Sequence, residues 1–305
     1  MLINTQEESS REIPVRFAEI PQQTIDYLLN LINQGGDVGI QFNPDPEPSG
    51  WSDSLNAGEE PYLAYSKIGD KNFIIYYKDS WREKKKASIA LRIANSAIKP
   101  LEELFGVYYY PSDVNNRKLA IYLAATREDF NLLYFKLCNV NPQENTIGAA
   151  SFELSRLGWL TKGLIIAPEP WERGGLSFQK VIWHEMAHYI YFTSIDVTKG
   201  INPFPWISEG IAEFFSKNET RLQEIDLYKL NSIHLNHKLS SNSDSYWVGY
   251  TVFLYMDSYF HKQGVTRFIQ SSYSNKPSKL VPMVLNMNME LFEKRWRRFV
   301  RTVPK

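Results

Sequence analysis

The sequence predicts an α+β protein: a mixed sheet interleaved with helices in its first 175 residues or so, then a helical lobe to the end of the chain. Three observations predict it. Strand-like runs at Tyr62–Ile68, Asn72–Tyr77, Lys118–Ala124 and Gly163–Pro168 alternate with helical patterns between Ser80 and Leu137. The periodic segments after Gly175 read as helices. Two of those later helices carry His or Glu pairs four residues apart, a spacing that puts both side chains on one helix face.

The composition is that of a globular chain. Of 305 residues, 43% are hydrophobic and 22% charged, and 34 basic side chains balance 34 acidic ones. That length can bury a large core. Zero formal net charge gives no electrostatic case for a nucleic-acid or anionic-membrane partner. Cys138 is the single cysteine, so no intrachain disulfide forms. Met1 to Ile20 has no apolar run of signal-peptide length, and no run approaches the roughly 18 apolar residues of a membrane span. The expectation is a soluble protein without a membrane span or a leader in this sequence, its location left open.

In chain order, Ile25, Leu28, Leu29 and Ile32 predict a helix over 21–34, with Pro21 at its start and Gly35-Gly36 past its end. Asp37–Phe42 is a short strand candidate, and the Pro- and Gly-rich stretch 43–58 is a loop. Gly69-Asp70-Lys71 joins the next two strands in a hairpin-like turn. Ser80 can cap a long helix to about Phe105, which Pro100 would kink or split. Its cluster Arg82, Lys84, Lys85 and Lys86 reads as a solvated face. Thr126 with Asp129 marks the start of a helix over Arg127–Leu137. Gly163–Pro168 leads through Gly174-Gly175 into the first motif helix. Gly264–Ser271 is a short helix, and Asn288–Thr302 a final amphipathic one. In the last, Leu291, Trp296 and Phe299 face inward and Lys294, Arg295, Arg297 and Arg298 outward.

The first motif helix contains His184-Glu185-Met186-Ala187-His188. His184 and His188 can aim two imidazoles at one point, and neutral imidazole nitrogens suit zinc. Glu185 can then act as a base toward water at that metal. A buried amphipathic helix with hydrogen-bonded core histidines is the bland alternative. An open zinc site needs a third ligand. A continuation His-x-x-Gly-x-x-His is excluded, because Tyr191 and Ser194 stand where its Gly and last His would be. Downstream, Pro205 opens a helix with Ile207, Ile211 and Phe214 or Phe215 on its apolar stripe, and Glu209 and Glu213 share a face. Glu209 is the expected third ligand. Glu213, one turn on, is expected to accept the free N–H of a ligand histidine. Gly210 and Ala212 would let this helix pack closely on the histidine-bearing one.

His-Glu-x-x-His followed by Trp206-x-x-Glu209-Gly210-x-Ala212-Glu213-Phe214 resembles the gluzincin clan of zinc metallopeptidases, and more narrowly its small peptidase MA-like families. The resemblance is specific from about Gly163 to Gly264. It implies a zincin-like two-lobed fold with the active-site cleft between a sheet lobe and a helical lobe. It implies one Zn²⁺ per chain on His184, His188 and Glu209, with Glu185 catalytic. Tyr246-x-x-Gly249 is similar to the clan's helix start whose Tyr faces the scissile carbonyl oxygen. Tyr246 is therefore the expected oxyanion donor, with Tyr250, His234 and His237 in reserve. The clan also implies that the strand before the zinc helix, here Leu164-Ile165-Ile166, pairs with an extended substrate. Gly148-Ala149-Ala150-Ser151-Phe152-Glu153 departs from the M1 motif that anchors a substrate amine, which favours an endopeptidase over an aminopeptidase.

The expected substrate is thus a peptide or protein. The expected organisation is an extension of unassigned role at 1–70, an α+β lobe at 71–175, and the zinc-binding helices with the helical lobe at 176–305. A non-catalytic zinc scaffold and a zinc hydrolase with another substrate are the competing readings. Glu185 speaks against the scaffold, because a purely structural site has no use for a base.

Overall fold

Two strands buried on both faces stand at the centre of a mixed sheet. The computed structural model describes residues 40–42, 65–107, 118–144, 146–155, 158–168, 177–195, 204–237, 239 and 242–303. The expected helix at 21–34, the loop at 43–58 and the Gly174-Gly175 turn lie outside these. Among the described residues the strands are β1 (Ile40–Phe42), β2 (Tyr65–Gly69), β3 (Phe73–Lys78), β4 (Leu119–Leu123), β5 (Gly148–Ser155) and β6 (Gly158–Ile166). Their spatial order is β1-β5-β6-β4-β3-β2. β3, β4 and β6 run parallel, β2 and β5 pair antiparallel with β3 and β6, and β1 pairs parallel with β5. β1 and β2 fall within the first seventy residues, so that segment contributes two strands to this sheet.

The apolar runs of β4 and β6 follow from their position. Ile121, Leu123, Leu164 and Ile166 face helices on one side, while Tyr122 and Ile165 face a helix on the other. The first side is covered by α1 (Trp81–Phe105) and α3 (Phe178–Thr193), the second by α2 (Arg127–Cys138). Ser80 and Thr126 cap α1 and α2, accepting from the amides of Glu83 and Asp129 at 3.2 Å each. Ala87, Ala90, Ala94 and Ala97 form a fully buried small-residue stripe along α1. Pro100 does not split the helix, which runs on to Phe105.

The helical part comprises α4 (Pro205–Ser216), α5 (Asn242–Ser272), α6 (Pro277–Leu285) and α7 (Met289–Thr302). α5 loses helical geometry at His261, where φ is 56°. The expected Gly264–Ser271 helix is its last section. α7 is rotated from the expected phase: Phe292, Trp296 and Val300 are buried, and Leu291 is 38% exposed. Arg297 is not a solvated charge. It donates to Glu293, Leu230 O and Ile233 O, pinning the preceding loop to α7. One apolar core runs from Phe73 and Ala90 through α3 and α4 to Trp296, so the two parts expected as lobes share it. No helix of the described residues is long and apolar enough to cross a membrane.

Candidate metal centre

The histidines stand on a helix fixed at both flanks. Ser177 caps α3 by accepting from Lys180 N at 3.2 Å. Val181, Ile182, Met186, Ala187 and Ile190 sink into the core, and Trp183 Nε1 donates to Ile93 O of α1 at 3.3 Å. α4 begins at Pro205 and is anchored by Trp206, whose Nε1 donates to Leu235 O at 2.8 Å.

Three donor atoms meet between these helices. His184 Nε2 and His188 Nε2 are 3.1 Å apart. Glu209 Oε2 lies 3.4 Å from the first and 3.2 Å from the second. Donors about 2.0–2.1 Å from a tetrahedral zinc ion stand roughly 3.3–3.4 Å from one another, so this triangle matches one face of such a tetrahedron. His188 is 4% and Glu209 7% exposed, which screens the cluster from bulk solvent. Lone pairs from two imidazoles and a carboxylate repel unless a cation lies among them, and Glu209 Oε2 makes no geometrically sound hydrogen bond among the described residues, its neighbours being the two imidazole nitrogens themselves. The donor set and its spacing therefore fit zinc. His184, His188 and Glu209 are the one group of this kind among the described residues.

Glu213, one turn beyond Glu209, is 1% exposed. Its Oε1 lies 3.6 Å from His184 Nδ1. A proton on Nδ1 faces that carboxylate and leaves Nε2 with its lone pair free. Burial opposes a charged His184, but Glu213 and Glu209 outweigh it and raise its pKa. Burial likewise opposes charge on Glu209, and the nearby His188 and His184 more than reverse this, holding its carboxyl well below the usual range.

Sequence reasoning missed two residues at this site. Arg221, in a 3-10 turn over Glu219–Leu222, donates from Nε to Glu213 Oε1 at 2.9 Å. Gly148, at the start of β5, lies against Glu185. A Cβ there would stand 2.6 Å from Glu185 Oε1, so the missing side chain is the space that this carboxylate occupies. Glu185 itself is 5% exposed and is not one of the three converging donors.

Tyr246 comes to the site through a helix crossing. α4 and α5 meet at Gly210 and Gly249, where a Cβ on Gly249 would stand 2.3 Å from Trp206 O and 2.5 Å from Gly210 Cα. Gly210 thus serves contact with α5, not the expected contact with the histidine-bearing helix. One turn before the crossing, the Tyr246 ring lies 6.2 Å from the His184 ring, inclined by 25°. Tyr250 is 3% exposed, and burial, with Glu219 and Glu213, pushes its hydroxyl pKa up to about 12. His234 is 60% exposed in its side chain and lies 3.5 Å from Glu293 of α7, which gives it a structural partner.

Leu164-Ile165-Ile166 cannot pair with a substrate strand. β6 is interior: Leu164 pairs with Ile121 and Ala150, and Ile166 with Leu123 and Gly148, with all three side chains 0–1% exposed. The neighbouring β5 lies outside it. β1 covers β5 only at Phe152–Leu154, so Gly148–Ser151 has no strand on its outer side among the described residues.

No known family profile matches the chain, and no curated protein matches it. Among solved structures, it is similar to a mutant M1 zinc metallopeptidase from Deinococcus radiodurans bound to a Tyr-Ser-Ala substrate, with TM-score 0.40 and 15% identity. It is also similar to a two-domain M1 zinc metallopeptidase mutant bound to L-tryptophan, with TM-score 0.40 and 16% identity. A further M1 zinc metallopeptidase structure from Deinococcus radiodurans gives TM-score 0.37 and 14% identity. Each comparison covers 79% of this chain and 52% of the other, so the chain spans about half the length of these structures.

Proposed function

We propose that this protein is a zinc-dependent metallopeptidase that hydrolyses internal peptide bonds. The observation that carries the reading is the convergence of His184 Nε2, His188 Nε2 and Glu209 Oε2 within 3.1–3.4 Å of one another. Three protein donors are the number that leaves a tetrahedral metal one position for a reactant. Bound there, zinc would polarise the scissile carbonyl and lower the pKa of water.

The protein's own groups do the rest. Glu185, one residue past His184, takes the proton of the attacking water on its carboxylate and returns it to the departing amine. Its burial beside Gly148 keeps competing solvent away. Tyr246 donates its hydroxyl to the carbonyl oxygen as negative charge gathers there. Glu213, 3.6 Å from His184 Nδ1, electrostatically favours a proton there and so keeps Nε2 available to the metal. The backbone of Gly148–Ser151 replaces Leu164–Ile166 as the strand that aligns the peptide. Its outer N–H and C=O groups recognise main chain, which is common to all sequences and needs no chain terminus. That favours an endopeptidase.

Glu185→Gln provides the test, because it removes the base and leaves the three donors. The variant should bind zinc as tightly as the wild type and cleave a casein or mixed-peptide substrate at a rate reduced by about 10²-fold or more. Wild-type protein loaded with zinc and inert toward a broad peptide library would overturn the reading.

A further inference from the structure

Arg221 lies outside the two motif helices, yet it touches two parts of the site. Its chain segment turns back after α4: Lys217 ends the helix in a left-handed conformation, and the 3-10 turn over Glu219–Leu222 presents Arg221 to the preceding helix. Two edges of the guanidinium are engaged by carboxylates. Nε and Nη2 both reach Glu213 Oε1, at 2.9 and 2.8 Å, and Nη1 reaches Glu224 Oε1 at 2.6 Å. The cation also lies over the Tyr246 ring, with Cζ 4.6 Å from the ring centre.

These contacts have a physical consequence. Glu213 is among the most buried carboxylates of the described residues, at 1% exposure. A carboxylate removed from water needs a charge partner, and the single N–H of His184 Nδ1, at 3.6 Å, is a weak one. Arg221 supplies that charge at shorter distance. A planar guanidinium does so in a fixed orientation, which an ammonium cannot. The Tyr246 ring flanks both groups, its centre 6.2 Å from that of the His184 imidazole and 4.6 Å from Arg221 Cζ. A cation over the ring face attracts it and restricts its tilt.

We propose that Arg221 is a positioning residue that sets a metal ligand and the hydroxyl donor together. It holds Glu213 beneath His184 and braces Tyr246 beside His184. The Tyr246 arm rests on the peptidase reading above, whereas the Glu213 arm concerns metal binding alone.

The test uses the full-length protein and the variants Arg221→Gln, Arg221→Lys, Glu213→Gln and the double variant Arg221→Gln/Glu213→Gln. Zinc affinity is read by competition with a chromophoric chelator, and kcat and KM are read at saturating zinc. Arg221→Gln should weaken zinc binding by about 10–100-fold. The same change should cost nothing more once Glu213 is already Gln, because both act through one contact. At saturating zinc its kcat should fall about tenfold with KM nearly unchanged, the mark of an interaction felt in the transition state. Arg221→Lys should recover most of the zinc affinity, since it restores the charge, but not kcat, since a compact ammonium cannot bond Glu213 and cover the Tyr246 ring at once.

Zinc affinity that is unchanged in Arg221→Gln, or losses that add independently in the double variant, would overturn the Glu213 arm. A wild-type kcat in Arg221→Lys would overturn the Tyr246 arm, and this variant decides that arm if Arg221→Gln fails to fold. Wild-type protein that cleaves no peptide removes the peptidase reading and the Tyr246 arm with it, while the zinc comparison still decides the Glu213 arm.

Discussion

A single methyl group on Gly148 should disable the base without disturbing the metal. A Cβ built there stands 2.6 Å from Glu185 Oε1 and 3.1 Å from both Cγ and Cδ, and these are its three nearest atoms. Ordinary contact begins near 3.4 Å, so the carboxylate oxygen must retreat by about 0.8 Å. The fold should tolerate this, at a cost of about 1 kcal/mol or less, because the displaced atoms end a flexible side chain. Catalysis should not. A misplacement on the order of 1 Å costs about 10²-fold in a step that depends on alignment. Gly148→Ala should therefore lower kcat by about 10²-fold, measured on the best wild-type peptide at saturating zinc, with zinc affinity and thermal midpoint close to wild type. A kcat equal to wild type would refute the placement of Glu185 as base. Loss of zinc together with activity would refute the separation of base from ligands.

Other consequences can be measured independently. Tyr246→Phe should lower kcat by about 10²-fold or more with KM little changed; an unchanged kcat would pass the donor role to Tyr250, whose hydroxyl stays protonated well beyond neutral pH. Gly249→Ala forces a methyl into the backbone of α4, 2.3 Å from Trp206 O, and should destabilise the protein by about 1–3 kcal/mol in urea unfolding; a neutral result would contradict the close crossing. In the metal-free protein His184 carries a raised pKa. A raised folded-state pKa favours the fold below the unfolded imidazole value of about 6.5, and that contribution is lost as pH rises through the folded value. Zinc must displace this proton, so its affinity should begin to fall on acidification already above about pH 6.5. Affinity that stays level from pH 8 to pH 6 in chelator competition would contradict the contacts of His184 with Glu213 and Glu209.

The site was legible in the sequence wherever it depends on helical spacing. His184 and His188, and then Glu209 and Glu213, are four apart, and geometry along one helix fixes which pairs share a face. Caps at Ser80 and Thr126 were legible for the same local reason. Sheet order was not. β5 opens Gly148-Ala149-Ala150-Ser151, small residues without the β-branched or aromatic signal of a strand, and it is extended because β6 pairs with it. With β5 unseen, β6 looked like the strand nearest the helix, and its apolar run gave no sign of which edge was free. Arg221 was invisible for a related reason: one cation in a polar stretch reads as solvated, and only the turn after α4 brings it under Glu213. In α7 a one-residue error of phase exchanged Leu291 for Phe292, because adjacent apolar residues leave the helix face ambiguous.

X-ray absorption at the zinc edge of the metal-loaded protein tests the central claim most directly. The account predicts about one zinc per chain, held by two imidazole nitrogens and one carboxylate oxygen at about 2.0–2.1 Å with one further oxygen from solvent beside them. Replacing Glu209 by Ala should remove the carboxylate oxygen from that shell. A shell of four protein ligands, or one that Glu209→Ala leaves unaltered, would contradict it.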